Sequence, residues 1–229
     1  MSTPAQLGLF VPLTAKPSEA TALSEFLLAG HTLVQNEPET LQWFAIKYTS
    51  PPLFGQNPTP DTPPETQFLI FDTFAADAGR QAHLAGPIAA ALMKNREALL
   101  VEGDAGVAIQ PIQLLAHKVT KPAGDASGVT QGLQVGLRVI FTAKADKIDA
   151  VKEHLITVGK DTLEEDSPPL WFGFWFPGTN KFGILGLGSE ADREARLTGP
   201  AATKMRENSG GLFEGPPEVI NVDIVAAKF

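Results

Sequence analysis

The stretch AHLAGPIAAALMKN (residues 82–95) returns 113 positions later as ARLTGPAATKMREN (195–208). A chain that spells one Ala-x-Leu-x-Gly-Pro-x-Ala phrase twice calls for a longer repeat, because a period missed at the start misreads the whole fold. Working outward, LGLFVPLTAKPSEATALSEFLL (7–28) aligns at an offset of 128 with VGLRVIFTAKADKIDAVKEHLI (135–156), sharing Gly, Leu, Val, the Thr-Ala-Lys run, Ala, Glu and Leu. Leu100-Val101-Glu102-Gly103 answers Leu212-Phe213-Glu214-Gly215, and Ile112-x-Leu114-x-Ala116-x-Lys118 answers Val222-x-Ile224-x-Ala226-x-Lys228. The matches keep their order. They predict two copies of one module, residues 1–121 and 134–229, joined by a polar Gly/Pro/Ser-bearing linker at 122–133.

Each copy reads the same way. Leu7, Leu9, Val11 and Leu13, and in the second copy Val135, Leu137, Val139 and Phe141, alternate at period two, the signature of a strand. Ser18 or Asp146 then stands at a helix N-cap position, ahead of apolar residues at helical spacing. LQWFAIKY and FLIFDTFA, answered by LWFGFWFP and KFGILGLG, are aromatic and β-branched runs bounded by Pro and Gly. In copy two only Pro177 to Asn180 separates them, which suits a hairpin. The opening phrase supplies the second helix, with Pro87 at a first turn where its missing N–H costs nothing. IQLLAHKV and INVDIVAA close the copies as strands. The order β-α-β-β-α-β predicts an α+β fold of two tandem ferredoxin-like modules. Their strands are apolar on both parities, so each module is expected to cover the other's bare sheet face, making a pseudo-dimeric α/β barrel.

Composition bounds what such a molecule does. A formal charge of −8 with scattered Lys and Arg argues against nucleic-acid binding, and the absence of Cys removes thiolate chemistry and Cys-type metal sites. No run approaches 18 apolar residues and the N-terminus lacks a basic, then apolar, leader pattern, so no membrane span and a cytoplasmic address are expected. A tandem that seals its own sheets is expected to be a monomer or a weak oligomer. No His-x-x-Glu-His or comparable metal spacing occurs, and the glycines of FGILGLGS fall inside a strand rather than a dinucleotide-binding turn. DTLEED (161–166) reads as a solvated helix end.

With these residues in view, copy one resembles the antibiotic-biosynthesis monooxygenase (ABM-like) family of the dimeric α/β-barrel superfamily. The resemblance runs through Glu37-Pro38, Leu41, Trp43, Phe71-Asp72, Phe74, Ala82-His83-Leu84 and Pro87, and more loosely in copy two through Leu170, Phe172, Leu197 and Pro200. It implies a ligand between the sheet and helices of each module, and cofactor-independent monooxygenation of a phenolic or quinol-type aromatic small molecule. A non-catalytic ligand-binding or stress-response barrel and an isomerase on the same scaffold are the alternatives. Haem-degrading relatives carry a ligand His further along the second helix, where this chain has Met93 and Arg206 or its neighbour, so no cofactor is expected.

Asp72 and His83 are the candidate catalytic pair, a strand carboxylate beside a helix imidazole that accepts a phenolic proton near neutral pH. The plain alternative puts His83 on the helix surface and makes Asp72 a capping or paired carboxylate. Trp43, Phe74, Tyr48 and Phe71 are the candidate substrate-binding residues; such aromatics otherwise serve as core. Tyr48 and His117 are secondary candidates for proton transfer. In copy two the alignment sets Leu185 against Asp72 and Arg196 against His83, so copy one is expected to carry the pocket and copy two to support it. The Pro-rich insertion at 49–67 reads as a lid or as a surface excursion.

Overall fold

The computed structural model describes residues 4–51, 63–122 and 127–229. Most of the 49–67 insertion and part of the linker therefore lie outside the described residues. The element order is β1 (Leu7–Thr14), α1 (Ala20–Val34), β2 (Thr40–Tyr48), β3 (Gln67–Phe74), α2 (Asp77–Leu84), α3 (Pro87–Leu99), β4 (Gln110–Val119), then β5 (Val135–Thr142), α4 (Ile148–Glu164), β6 (Leu170–Trp175), β7 (Lys181–Gly188), α5 (Glu190–Thr198), α6 (Pro200–Leu212) and β8 (Glu218–Lys228). Among the described residues no helix is long and apolar enough to cross a membrane.

The eight strands close into one antiparallel barrel in the order β1-β3-β2-β8-β5-β7-β6-β4. Each half contributes four consecutive strands of that ring. The halves meet at two seams, β2 on β8 and β4 on β6, where ladder hydrogen bonds satisfy edges that would otherwise stay bare. The expected covering of one sheet by the other is thus achieved by rolling two sheets into a ring.

Strand alternation sorts side chains into three layers. Inward positions fill the barrel: Phe10, Phe44, Tyr48, Phe71, Phe172 and Phe174 belong to one buried cluster drawing on both halves. Phe71 stands 5.2 Å from Phe172 and 5.4 Å from Phe174, ring centre to ring centre. Contacts of that kind are worth about 0.5–1.5 kcal/mol each beyond area burial. Outward positions such as Trp43, Ile70 and Phe74 pack under α1 and α3, and Trp171, Phe182 and Ile184 under α4 and α6.

The helix starts follow local chemistry. Gly86 and Pro87 break one helical phrase into α2 and α3, with Pro87 in the first turn of α3. Ser189 and Asp192 form a reciprocal capping box on α5. Ser18 and Asp146 are not caps: α1 and α4 begin one residue later, after Glu19 and Lys147, and the Ser18 hydroxyl bonds Glu19 instead. The predicted hairpin turn is present, with Gly178 at φ +79°.

Each first helix leans over the other half, α1 against β8 and α4 against β4. From β8, Lys228 Nζ donates to the carbonyls of Val34 (2.9 Å) and Glu37 (2.6 Å) at the end of α1. From β4, Lys118 Nζ donates to the carbonyls of Thr162 and Glu165 at the end of α4. A cation meeting the carbonyl end of a helix satisfies orphan acceptors and complements the helix dipole. The same latch therefore crosses the barrel in both directions.

Candidate active site

Asp72 lies on β3 opposite Leu9 of β1 and Trp43 of β2, facing outward toward the helices. Burial of α2's inner face brings His83 over it. His83 is 6 % exposed and Asp72 1 %, so the surface histidine of the plain alternative is not what forms, while Asp72 is a paired carboxylate whose partner is His83 itself. His83 Nε2 sits 3.4 Å from Asp72 Oδ2, an ion-pair distance without hydrogen-bond alignment. On its other side His83 Nδ1 donates to Glu37 Oε2 at 2.6 Å, and the Thr40 hydroxyl donates to the same oxygen at 2.9 Å. The imidazole is held between two carboxylates, with the ring of Phe74 5.5 Å away.

Glu37 was visible in the sequence only as part of a family phrase. Its role arises because the turn after α1 brings residue 37 beside residue 83, a contact across 46 positions that no local pattern announces.

Electrostatics follow from this geometry. Burial disfavours the charged imidazole, but Asp72 and Glu37 outweigh it and push the His83 pKa up to about 9. Burial raises the Asp72 pKa, against the opposing pull of His83. At neutral pH His83 is therefore an imidazolium and a hydrogen-bond donor, where the sequence suggested a proton acceptor. Among the described residues both Asp72 oxygens and Trp43 Nε1 are buried without a hydrogen-bond partner. Such groups usually carry a partner, so their exceptions call for a reason.

Asp72, His83 and Trp43 line one cavity between the sheet and α1–α3, with Leu9, Phe26 and Ile88 among its walls. Its volume is ≈ 40 Å³. Phe74 touches His83 from the outer layer, whereas Phe71 and Tyr48 point into the barrel core on the opposite face. The structure thus brings together Asp72, His83, Trp43 and Phe74 and leaves out Phe71 and Tyr48. Their strand parity was legible, but which parity faced the helices was not. Burial lowers the His117 pKa, and its ring stacks on Phe172 at 6.4 Å, away from this cavity. Among the described residues no cluster of three or more His, Asp or Glu side chains has metal-binding geometry.

The equivalent place in the C-terminal half corrects three expectations. Leu137, the counterpart of Leu9 at the offset of 128, pairs with Gly186, so Gly186 and not Leu185 stands where Asp72 stands. Leu185 belongs to the barrel core. The same register pairs Trp171 with Gly186 as Trp43 pairs with Asp72. Arg196 takes the place of His83, and Glu165 that of Glu37, so Glu165 departs from the solvated reading of DTLEED: it accepts from Ala201 N at 3.0 Å and lies 3.7 Å from Arg196. Nor is this half mere support, since it holds the larger cavity, ≈ 300 Å³.

No protein-family model matches the chain, and no curated protein matches it. Among solved structures, a candidate monooxygenase from Fusobacterium nucleatum superposes with a TM-score of 0.78 at 10% identity, covering 99% of this chain and 95% of that one. An anthrone oxidase-like protein does so with a TM-score of 0.54 at 12% identity, covering 98% and 92%. A protein of unknown function from Nitrosomonas europaea is 41% identical over 54% of this chain and 100% of its own, with a TM-score of 0.42. The chain shares the barrel fold of the first two of these proteins.

Proposed function

We propose that the chain is a cofactor-independent monooxygenase of a phenolic or quinol-type aromatic, built as two tandem ferredoxin-like modules (1–121 and 134–229) with the reacting centre in the first. The observation that carries the reading is Asp72: a buried carboxylate without a hydrogen-bond partner, 3.4 Å from an imidazole that a second carboxylate holds in place. Burying a carboxylate whose oxygens accept no hydrogen bond costs stability even beside an imidazolium, and ionisable groups kept at that cost concentrate where chemistry needs them.

In this reading Asp72 takes the substrate proton and the His83 imidazolium faces the anion that results, with Glu37 fixing the ring. The electron-rich anion passes one electron to O₂, the two radicals combine at carbon to a peroxide that takes the proton back from Asp72, and loss of the second C–H proton as the O–O bond breaks leaves the carbonyl and releases water. An activated CH₂ group plus O₂ thereby becomes a carbonyl plus H₂O, and no outside reductant is consumed. Admitting an aromatic ring requires Ile88 and Leu92 of α3 to move outward, since the cavity as it stands is smaller than a ring. The cytoplasmic address stays part of the proposal.

Oxygen uptake with anthrone and with substituted hydroquinones tests it. Asp72→Asn is expected to slow uptake by about 10²–10⁴-fold. Uptake at the wild-type rate in that variant removes Asp72 from the mechanism. The second reading, a ligand-binding barrel without chemistry, is favoured by the larger C-terminal cavity, which lacks the carboxylate; it predicts binding and no uptake at all.

A further inference from the structure

We infer that the C-terminal half carries a binding site for an apolar monocarboxylate, with Arg196 as its counter-ion, a site distinct from the proposed reacting centre. Its volume, ≈ 300 Å³, is of the size that holds small-molecule ligands. The walls are apolar: Leu137, Val139 and Ile184 come from the sheet, and Met205 and Phe213 from α6 and the residue that follows it. Such walls favour a ring or a short hydrocarbon body.

The polar feature at depth is Arg196, 8 % exposed and lying 5.6 Å over the ring of Trp171. Burial lowers its pKa to about 10, which leaves it charged at neutral pH. Its compensation is incomplete. Glu165 stays 3.7 Å from Nη1, beyond hydrogen-bond reach, and spends its other oxygen on the N-terminus of α6 at Ala201. The Thr162 hydroxyl is at 3.5 Å from the same Nη1. Among the described residues no acceptor is paired with Nε or Nη2, so the edge of the guanidinium best suited to a carboxylate keeps its donors available.

Comparison with the first half strengthens the argument. There a carboxylate of the chain, Asp72, faces the cation on α2. Here Gly186 removes that carboxylate and leaves the volume it would occupy, so a ligand carboxylate can stand in for it. Arg206 lines the mouth and adds a second positive charge on the approach. One charge is the right number for the ligand, since the Glu165 carboxylate already balances part of Arg196 and apolar walls penalise a polyanion.

Calorimetric titration of the full chain with 2-naphthoate, and with neutral 2-naphthamide, tests the site. Naphthoate is expected to bind roughly ten- to hundred-fold more tightly than the amide, the effect of a charge-assisted pair. Arg196→Met is expected to abolish that preference while keeping amide binding. Gly186→Asp is the companion variant in case Arg196→Met misfolds. A Cβ at 186 meets only ordinary contacts at 3.7 and 3.8 Å, and its carboxylate is expected to compete with naphthoate and weaken it by a similar factor. Asp72→Asn serves as the control and is expected to bind naphthoate as the wild type does. Equal affinity for acid and amide, no binding of naphthoate, an unchanged preference in Arg196→Met or Gly186→Asp, or loss of naphthoate binding in Asp72→Asn would each overturn the assignment. None of these outcomes bears on oxygen uptake, so the two proposals fail separately.

Discussion

At residue 83 an imidazole lies between carboxylates, and this makes stability depend on pH in a definite direction. The His83 pKa rises from its ordinary 6.5 to about 9 in the fold. The folded state therefore binds the proton more tightly, and the stabilisation is fully present below pH 6.5 and lost as pH climbs through 9. The raised Asp72 pKa works the same way, since a buried carboxyl is easiest to keep when neutral. Melting temperatures from pH 6 to 10 should fall for the wild type and fall less steeply for His83→Gln. Asp72→Asn should melt lower than wild type at pH 6, because the amide cannot pair with the imidazolium that the carboxylate faces at 3.4 Å, and the gap should shrink toward pH 10; equal melting at pH 6 would show that the pair contributes nothing to stability. Asp72, His83, Trp43 and Phe74 were legible because a strand and a helix each carried a recognisable phrase. Glu37, Phe71 and Tyr48 were not, since a turn's reach and the choice of inward parity depend on tertiary packing.

Among the elements, the helix ends couple the two halves. Lys228 closes the carbonyl end of α1 and bonds the carbonyl of Glu37, the same residue whose carboxylate orients His83. Lys228→Met should leave those carbonyls short of a donor and cost about 1–3 kcal/mol, a fall of a few degrees in melting temperature. Lys118→Met should cost a similar amount through α4. Equal melting of Lys228→Met and wild type would show that the latch contributes nothing. The succession of strands and helices along the chain was readable in the sequence because periodicity and punctuation are local signals. The one-residue slip that matched Leu185 to Asp72 was not detectable, for both neighbours are apolar and only the β5–β7 register decides between them.

For the whole molecule, the decisive facts are the two seams and the shared core. Phe44 and Phe71 from one half pack on Phe172 and Phe174 from the other, so neither half keeps its core alone. Calorimetry should show a single cooperative transition, and two separated transitions would contradict a common interior. Every strand edge in the ring is paired within the chain, so light scattering should give a mass near 24.4 kDa.

Gly186, standing in the C-terminal half where Asp72 stands in the first, has one more consequence. In a ring assembled from identical subunits, any inherited change strikes both cavities at once, and improving one task spoils the other. Within one chain that bind does not arise: position 186 can change without touching 72, and an engineer has the liberty to retune either chamber alone.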